Sequence, residues 1–367
     1  MTLDELRNAL TELDGQLIDL VARRQALSEQ VAAVKRATGR PTRDFARERE
    51  VILRARTTAA KMNVSADLAE SLLRQLIQSS LATQEQARVA AQAHGTGKVA
   101  LVIGGHGKMG GWFAEFLASQ GFRVRIADPA GALPGFEHIA DWQRDPLDED
   151  VLVLATPLGA TAELLHALAE RVPRGLIFDL GSLKTPLRSG LAALAAAGCR
   201  VTSLHPMFGP DTELLSGRHV IFIDLGHAEA LTEAQALFAP TMAERIVMGL
   251  DEHDRLIAFV LGLSHALNIA FFTALAESGE AAPRLARLSS TTFDAQLDVA
   301  SRVAAESPDL YFEIQSLNEY GGESLRALQH AVERVVSAVR SKNAGAFSAM
   351  MSRGRAYLDV RAAARRP

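Results

Sequence analysis

The stretch KVALVIGGHGKMGG, residues 98–111, decides the fold. A β-branched apolar run, Val99 to Ile103, passes into a glycine-dense turn and then into residues 112–119, which read as a helix; the order is strand, turn, helix. Gly105, Gly107 and Gly110 fit G-x-G-x-x-G. In that pattern the first glycine makes the tight turn, the second lets a pyrophosphate approach the backbone, and the third lets the helix close on the strand, with Met109 in the turn beside it. A second strand, 122–127, delivers Asp128 eighteen residues after Gly110. An acid there accepts ribose hydroxyls and repels a ribose phosphate, and Pro129-Ala130-Gly131 offers no arginine for one. The spacing therefore predicts NAD rather than NADP, held by Gly105, Gly107, Met109, Gly110 and Asp128.

Downstream, strand-like runs at 151–155, 176–180 and 200–204 alternate with helical stretches at 160–171 and 185–197. This predicts an α/β Rossmann-type, doubly wound parallel sheet with its site at the carboxyl ends of the strands. Thr156 follows one such end and joins the cofactor candidates. Ser182, in Asp179-Leu180-Gly181-Ser182-Leu183-Lys184, follows another, placed either to hold a substrate hydroxyl or to cap the next helix. The last run delivers Leu204-His205-Pro206-Met207-Phe208-Gly209-Pro210-Asp211, in which two prolines and a glycine frame one imidazole. His205 is the candidate proton acceptor, because an ordinary histidine titrates near neutral pH.

Upstream, apolar residues at 3, 6, 10, 13, 17, 20, 27, 31 and 34 predict one long helix ending near Thr38-Gly39. Arg24 takes the beat between Leu20 and Leu27, and a charge in a packed seam is costly unless an anion meets it. Lys35 lies about 16 Å further along and about 20° around the helix, so both cations can converge on one small anion. A second helix is expected to begin with Asp44 as its cap and to carry Arg47, Glu48, Val51 and Ile52. A third spans about 65–90, its stripe of Leu73, Leu76 and Ile77 continuing as Ser80 and Gln84.

These residues resemble the all-helical chorismate mutase family over about the first 90 positions, through Leu6-Arg7, Ala22-Arg23-Arg24, Lys35, the run 40–44, Arg47-Glu48-Arg49-Glu50 and the run 80–84. The resemblance implies rearrangement of chorismate to prephenate without nucleophile, metal or cofactor. Arg24 and Arg47 would hold carboxylates, Lys35 and Gln84 would donate to the ether oxygen, and Glu48 would orient the substrate hydroxyl, with Asp44 and Ser80 assisting. Arg7 lies about 25 Å along the helix from Arg24 and cannot share its pocket. In the family the corresponding arginine comes from a partner subunit, which implies an intertwined homodimer.

From about 251 the chain reads as helical to its end, including segments at 256–276, 285–305, 310–320 and 322–339, several of them too apolar for a monomer's surface. His265 and Arg302 lie on these helices. Residues 98–367 resemble prephenate dehydrogenase, through the glycine turn, the run 179–184, the run 205–211, Glu252-His253-Asp254 and the segment from Ser289-Ser290 to Arg302. The resemblance implies that His205 takes the proton from the ring hydroxyl of prephenate while hydride passes to NAD and carbon dioxide leaves. Arg302 would bind a carboxylate, Ser182 would hydrogen-bond the hydroxyl, and His265 would frame the substrate. Ser264 and Asp294 stand where relatives carry basic residues, so recognition of the substrate's side chain departs from that pattern.

Composition sets the bounds. With 367 residues, 48% hydrophobic, the chain has material for several cores, and a net charge of −4 gives no case for nucleic acid or an anionic membrane. Residues 23–61 nevertheless hold 11 basic against 4 acidic side chains. One cysteine, Cys199, supplies neither an internal disulfide nor a metal cluster. No apolar run reaches the length of a spanning helix and no secretory signal opens the chain, so a cytoplasmic protein without a membrane partner is expected. The expected organisation is multidomain: an all-α mutase at 1–92, a nucleotide-binding domain at 98–245, and an all-α substrate-binding and dimerisation domain at 246–367. The product implied by the first part is the substrate implied by the rest, a bifunctional route to tyrosine with tyrosine itself as a possible inhibitor. The alternatives are arogenate as the oxidised substrate, a silent N-terminal dimerisation module, and a generic hydroxy-acid dehydrogenase.

Overall fold

Thr2 and Glu5 cap each other's backbone N–H groups to open helix α1, Leu3–Ala37, in a computed structural model that describes residues 1–364. The seam has the predicted spacing, yet Ala32 is the only buried residue of the helix, and Leu10 and Leu27 are each 61% exposed. Asp44 accepts from the Arg47 N–H at 2.9 Å to start α2, Phe45–Lys61, and Ser65 accepts from the Leu68 N–H to start α3, Ala66–Gln92. The chain forms two compact units, Met1–Gly181 with Ser189–Met248, and Ser182–Arg188 with Gly249 onward.

In the first unit α3 ends inside the sheet domain, where Val89 joins the buried cluster of Val102, Phe113, Phe178, Phe222 and Phe238. β1 (Val99–Ile103), α4 (Lys108–Ser119), β2 (Arg123–Ala127), β3 (Glu137–Ile139), β4 (Val151–Leu154), α5 (Leu158–Arg171), β5 (Leu176–Asp179), α6 (Arg188–Ala196), β6 (Arg200–Pro206), β7 (His219–Ile223), α7 (Ala228–Phe238) and β8 (Glu244–Met248) follow. The sheet order is β3-β2-β1-β4-β5-β6-β7-β8. Every pair is parallel except β6 with β7, where His205 faces Ile221. The sheet is mostly parallel, as expected of the doubly wound class, and β7 runs against β6 because their connection contains no helix, whereas a parallel return needs a crossover.

In the second unit the segment Ser182–Arg188 is held by α8, Leu250–Ile257. Asp254, fully buried, accepts from the N–H groups of Lys184 (2.9 Å) and Thr185 (2.6 Å), the Thr185 hydroxyl (2.5 Å) and His253 Nδ1 (2.6 Å). Burial alone would raise this carboxyl, but the hydrogen bonds from His253 and Thr185 outweigh it and hold Asp254 below the usual range. A π-helical stretch, Ala258–Leu263, joins α8 to α9, Ser264–Glu277. Together they form one helical rod, Leu250–Glu277, with a mean hydropathy of 1.9 over its most apolar window. By length and composition this helix is long and apolar enough to cross a bilayer, which corrects the expectation that no apolar run reaches that length. The helix expected from residue 256 extends back through Asp251–Arg255. The single helix expected over 285–305 is broken into α10 (Ala282–Ala286) and α11 (Thr291–Ala304), with Ser290 capping the latter. The unit closes with α12 (Pro308–Ser316), α13 (Gly321–Arg340) and α14 (Ala344–Ala364).

Replacing Asp254 by asparagine turns one acceptor oxygen into an amide facing backbone N–H donors. The expected loss is about 2–3 kcal/mol of stability, read as a lowered urea midpoint.

Candidate active sites

Three helices build the first site. Arg24 from α1 donates through Nη1 to the Leu76 carbonyl (2.9 Å) and to Ser80 Oγ (2.7 Å), which anchors the guanidinium on α3, and burial lowers its pKa below the ordinary value. Lys35 Nζ donates to the Thr42 carbonyl at 2.6 Å. Gln84, 7% exposed, donates through Nε2 to Ser28 Oγ at 2.7 Å, and its Oε1 is buried with no partner among the described residues. Glu48 receives two parallel bonds from Arg43, Nε to Oε1 at 2.8 Å and Nη2 to Oε2 at 2.9 Å. A cavity of about 270 Å³ is lined by Arg24, Lys35, Asp44, Arg47, Glu48, Ser80 and Gln84 together. Seven of the eight residues named from sequence thus meet in one place.

Arg7 does not. It is exposed and pairs with Asp4 at 3.5 Å, on the stretch of α1 whose apolar seam is uncovered. Arg47 lines the cavity, but its Nη1 donates to Glu50 at 2.6 Å, so an incoming anion has to compete with that carboxylate. Arg43 and Ser28 escaped the sequence reading. Arg43 lies before the helix that carries Glu48, so no helical spacing links them, and a serine three to four residues from an apolar seam carries no signal of its own.

The second site lies where the strand order reverses between β1 and β4, the switch point at which ligands bind such sheets. A cavity of about 670 Å³ there is lined by Gly104, Gly107, Asp128, Trp142, Thr156 and Pro157, among others. Gly104 has φ of +89° and a Cβ on it would sit 2.6 Å from the Ala155 carbonyl oxygen, while one on Gly110 would sit 2.1 Å from the Gly104 oxygen. Gly105 has no room either: its Cβ would meet Ile126 at 2.4 Å. Gly105 and Gly110 therefore set the turn's shape from beneath, Gly107 and Gly104 face the cavity, and Met109 packs on the core in the first turn of α4. The doubled glycine at 104–105 was the available signal for the first of the pair. Asp128 accepts from the N–H groups of His106 (3.0 Å) and Ala130 (2.9 Å), which fixes its carboxylate at the cavity rim. A glycine-rich turn, a helix N-terminus and an anchored acid suit a dinucleotide whose ribose keeps both hydroxyls free.

His205, 4% exposed, lies one residue from the end of β6. Behind it the chain is pinned: the Met207 N–H donates to the His219 carbonyl at 2.9 Å, Trp112 Nε1 donates to the Thr212 carbonyl at 3.0 Å, and the rings of Trp112 and Phe208 lie 5.0 Å apart.

Ser182, His265 and Arg302 belong to the second unit. His265 follows the π-helical stretch, a local widening that recurs at functional positions. The Gln315 amide satisfies the Gly262 carbonyl there at 2.8 Å. The His265 ring stands edge-on to Tyr311 with centroids 4.3 Å apart, and its Nδ1 is buried with no partner among the described residues. Arg302 is exposed on α11, which Gln296 ties to Asn268 of α9 at 2.9 Å. Ser289 donates to Asp294 in the first turn of α11, so that carboxylate is engaged locally. Ser182 is half-buried and caps no helix, since the 3₁₀ turn Thr185–Leu187 is preceded by Lys184. No cluster of metal-ligating side chains occurs among the described residues.

An anion pocket on three helices joined to a dinucleotide-binding sheet defines a mutase fused to a dehydrogenase. Residues 6–85 match the family Chorismate mutase type II, residues 135–247 the nucleotide-binding domain of prephenate dehydrogenase, and residues 250–353 its dimerization domain. The chain is 30% identical to the T-protein of Haemophilus influenzae over 319 residues, 85% of this chain and 80% of that one. It is 27% identical to the T-protein of Enterobacter agglomerans over 355 residues, 96% of this chain and 91% of the other. In fold it is similar to a crystal structure of prephenate dehydrogenase from A. aeolicus, with a TM-score of 0.56, 18% identity, and coverage of 72% of this chain and 98% of that one. The chain belongs to the T-protein family, the bifunctional chorismate mutases and prephenate dehydrogenases of tyrosine biosynthesis.

Burial pushes the His265 imidazole from 6.5 down to about 4. The unfolded chain takes up that proton as pH falls below 6.5 while the folded chain does not, so this residue's contribution to stability is lost between about pH 6.5 and 4. Urea midpoints at pH 7 and pH 5 should therefore fall further for the wild type than for His265→Gln.

Proposed function

We propose that the helical cavity binds chorismate and that its charges divide the work as follows. Arg24 and Arg47 hold the two carboxylates, the latter exchanging Glu50 for substrate. Lys35 and Gln84 donate to the ether oxygen, where negative charge gathers as its bond to carbon lengthens. Glu48 accepts from the substrate hydroxyl, and Asp44 and Ser80 hold the helix start and Arg24 in place. The reaction needs no covalent partner from the protein, so its acceleration comes from a substrate folded into a reactive shape and from fixed donors aimed at developing charge. Arg7 of the partner subunit completes the pocket, an assignment supported by its distance from Arg24 and by the uncovered leucine seam on which it rides.

The second reaction oxidises prephenate to para-hydroxyphenylpyruvate. The glycine turn with Asp128 and Thr156 would hold NAD, which would supply the hydride acceptor. His205 accepts the proton of the ring hydroxyl, Ser182 hydrogen-bonds that hydroxyl, Arg302 binds a carboxylate, and neutral His265 frames the ring; loss of carbon dioxide restores aromaticity. The domain limits proposed for this division are 1–92, 98–245 and 246–367. A homodimer is supported by the match to a dimerization domain and by the exposed apolar residues of α13 and α14 such as Val332, Val339, Phe347 and Met351. A second copy is accordingly the proposed cover for the apolar rod 250–277. Cytoplasmic location and inhibition by tyrosine belong to the same reading.

One observation carries the proposal: seven side chains named for one anion chemistry line a single cavity. Chorismate alone, then chorismate with NAD, should yield prephenate and then NADH with carbon dioxide; arogenate in place of prephenate separates the remaining substrate alternative. Lys35→Ala should cut chorismate turnover by about 10²–10³-fold and leave oxidation of supplied prephenate intact. His205→Asn should do the reverse, with oxidation falling about 10²–10⁴-fold. A folded variant of either kind that loses both activities would overturn the assignment of two sites.

A further inference from the structure

The mutase cavity is lined by residues 24–84 alone, yet one of its side chains is braced from outside that segment. Arg43, whose guanidinium grips Glu48 with two bonds, sends its remaining Nη1 to Ser216 Oγ at 2.6 Å. Ser216 belongs to the connection between β6 and β7, in the nucleotide-binding sheet, 173 residues away in sequence. That connection is itself fixed from α3. Glu85, 4% exposed and next to Gln84, accepts from the Leu215 N–H at 2.7 Å and from the Met242 N–H. Burial raises the Glu85 carboxyl above its usual range, so its place is kept by the two backbone donors rather than by solvent. A third tie runs alongside. Arg88 donates to Thr42 Oγ1 at 3.2 Å and to the Ala239 carbonyl at 2.9 Å, and Thr42 also receives Lys35.

These contacts close a circuit from Gln84 through Glu85, residues 215–216 and Arg43 back to Glu48. A carboxylate that must meet one hydroxyl of a small substrate needs a fixed direction, because misplacement by about 1 Å costs orders of magnitude in rate. Arg43 is long and flexible, and within the mutase helices its guanidinium has only Glu48 and the face of Phe45, 4.4 Å from the ring centroid, to settle it. Ser216 supplies the third direction and fixes the fork.

We propose that Ser216, a residue of the dehydrogenase half, is a positioning residue for the mutase reaction, acting through Arg43 on Glu48. The dependence is one-way: chorismate rearrangement draws on the nucleotide-binding sheet, whereas oxidation of prephenate draws nothing from Arg43. The proposal rests on the role assigned to Glu48 above.

The test uses the full-length chain. Ser216→Ala should lower kcat for chorismate about tenfold, since a hydrogen bond to a charged group is lost, with KM changed less than about twofold and prephenate oxidation unchanged. Ser216→Thr, which keeps the hydroxyl, should recover most of the lost rate. In an Arg43→Ala background Ser216→Ala should have no further effect. Glu48→Ala serves as the control for the underlying assignment. If Glu48→Ala abolishes rearrangement while Ser216→Ala leaves kcat at the wild-type value, the positioning role is wrong and the Glu48 assignment stands. If Glu48→Ala itself retains full turnover, the assignment beneath the proposal fails. A Ser216→Ala protein that loses both activities alike, or effects of Ser216 and Arg43 that simply add, would also overturn it.

Discussion

One helix serves two masters in this molecule, and the rest of the first unit depends on it. From Ser80 onward α3 has polar and apolar groups buried on adjacent faces: Ser80 and Gln84 turn toward the anion cavity, while Glu85, one residue after Gln84, and Val89, one turn beyond it, turn toward the sheet. A step of about 100° per residue allows this without a break. The buried carboxylate of Glu85 has no cation within its hydrogen bonds. Two backbone N–H groups hold it instead, so its desolvation is offset by directional contacts that only one docking geometry satisfies. The same helix therefore fixes the donor at Gln84 and the connection that braces Glu48.

The two sites handle anions by different physics. In the helical cavity the charges are side chains: Arg24 and Lys35 are held by carbonyls and a hydroxyl, whereas Arg47 is held by the Glu50 carboxylate, for which an incoming anion has to be exchanged. In the sheet the glycine turn contributes no charge at all. Its use lies in what it lacks: at Gly104, Gly105 and Gly110 a single methylene would meet neighbouring atoms at under 3 Å, and so the backbone of the turn and the start of α4 can stand bare toward a phosphate. At the rim Asp128 is fixed by the N–H groups of His106 and Ala130, and in the proposed role it sorts ribose from ribose phosphate.

Much of the candidate machinery was legible because its signals are local. Asp44 and Ser65 announce helix starts, Arg24 interrupts an apolar seam, Ser80 and Gln84 extend a stripe, and the glycines and Asp128 keep a spacing that only a strand-turn-helix-strand unit satisfies. The residues that escaped are those defined by partners. Arg43 has a role through Glu48 and Ser216, and Ser28 through Gln84. The antiparallel β7, with three of its five residues wholly shielded from solvent, reads like any buried run until its neighbour is known. The rod 250–277 exceeds the segment 256–276 expected from sequence because its first turn, Asp251 to Arg255, is charged and lies outside the apolar pattern that marks the rest.

What the amino-acid order determined alone was the succession of elements and the kinds of chemistry they carry, since capping, periodicity and glycine spacing act over a few residues. Tertiary structure decided which of those groups face each other: that Glu48 is gripped by Arg43 and braced from 173 positions away, that Arg47 rests on Glu50, that Arg7 stands apart from the cavity, and that much of the α1 seam lies exposed among the described residues. Such pairings leave no periodic trace, because the energy that selects them comes from contacts between segments remote in sequence, each of which would read the same in another fold.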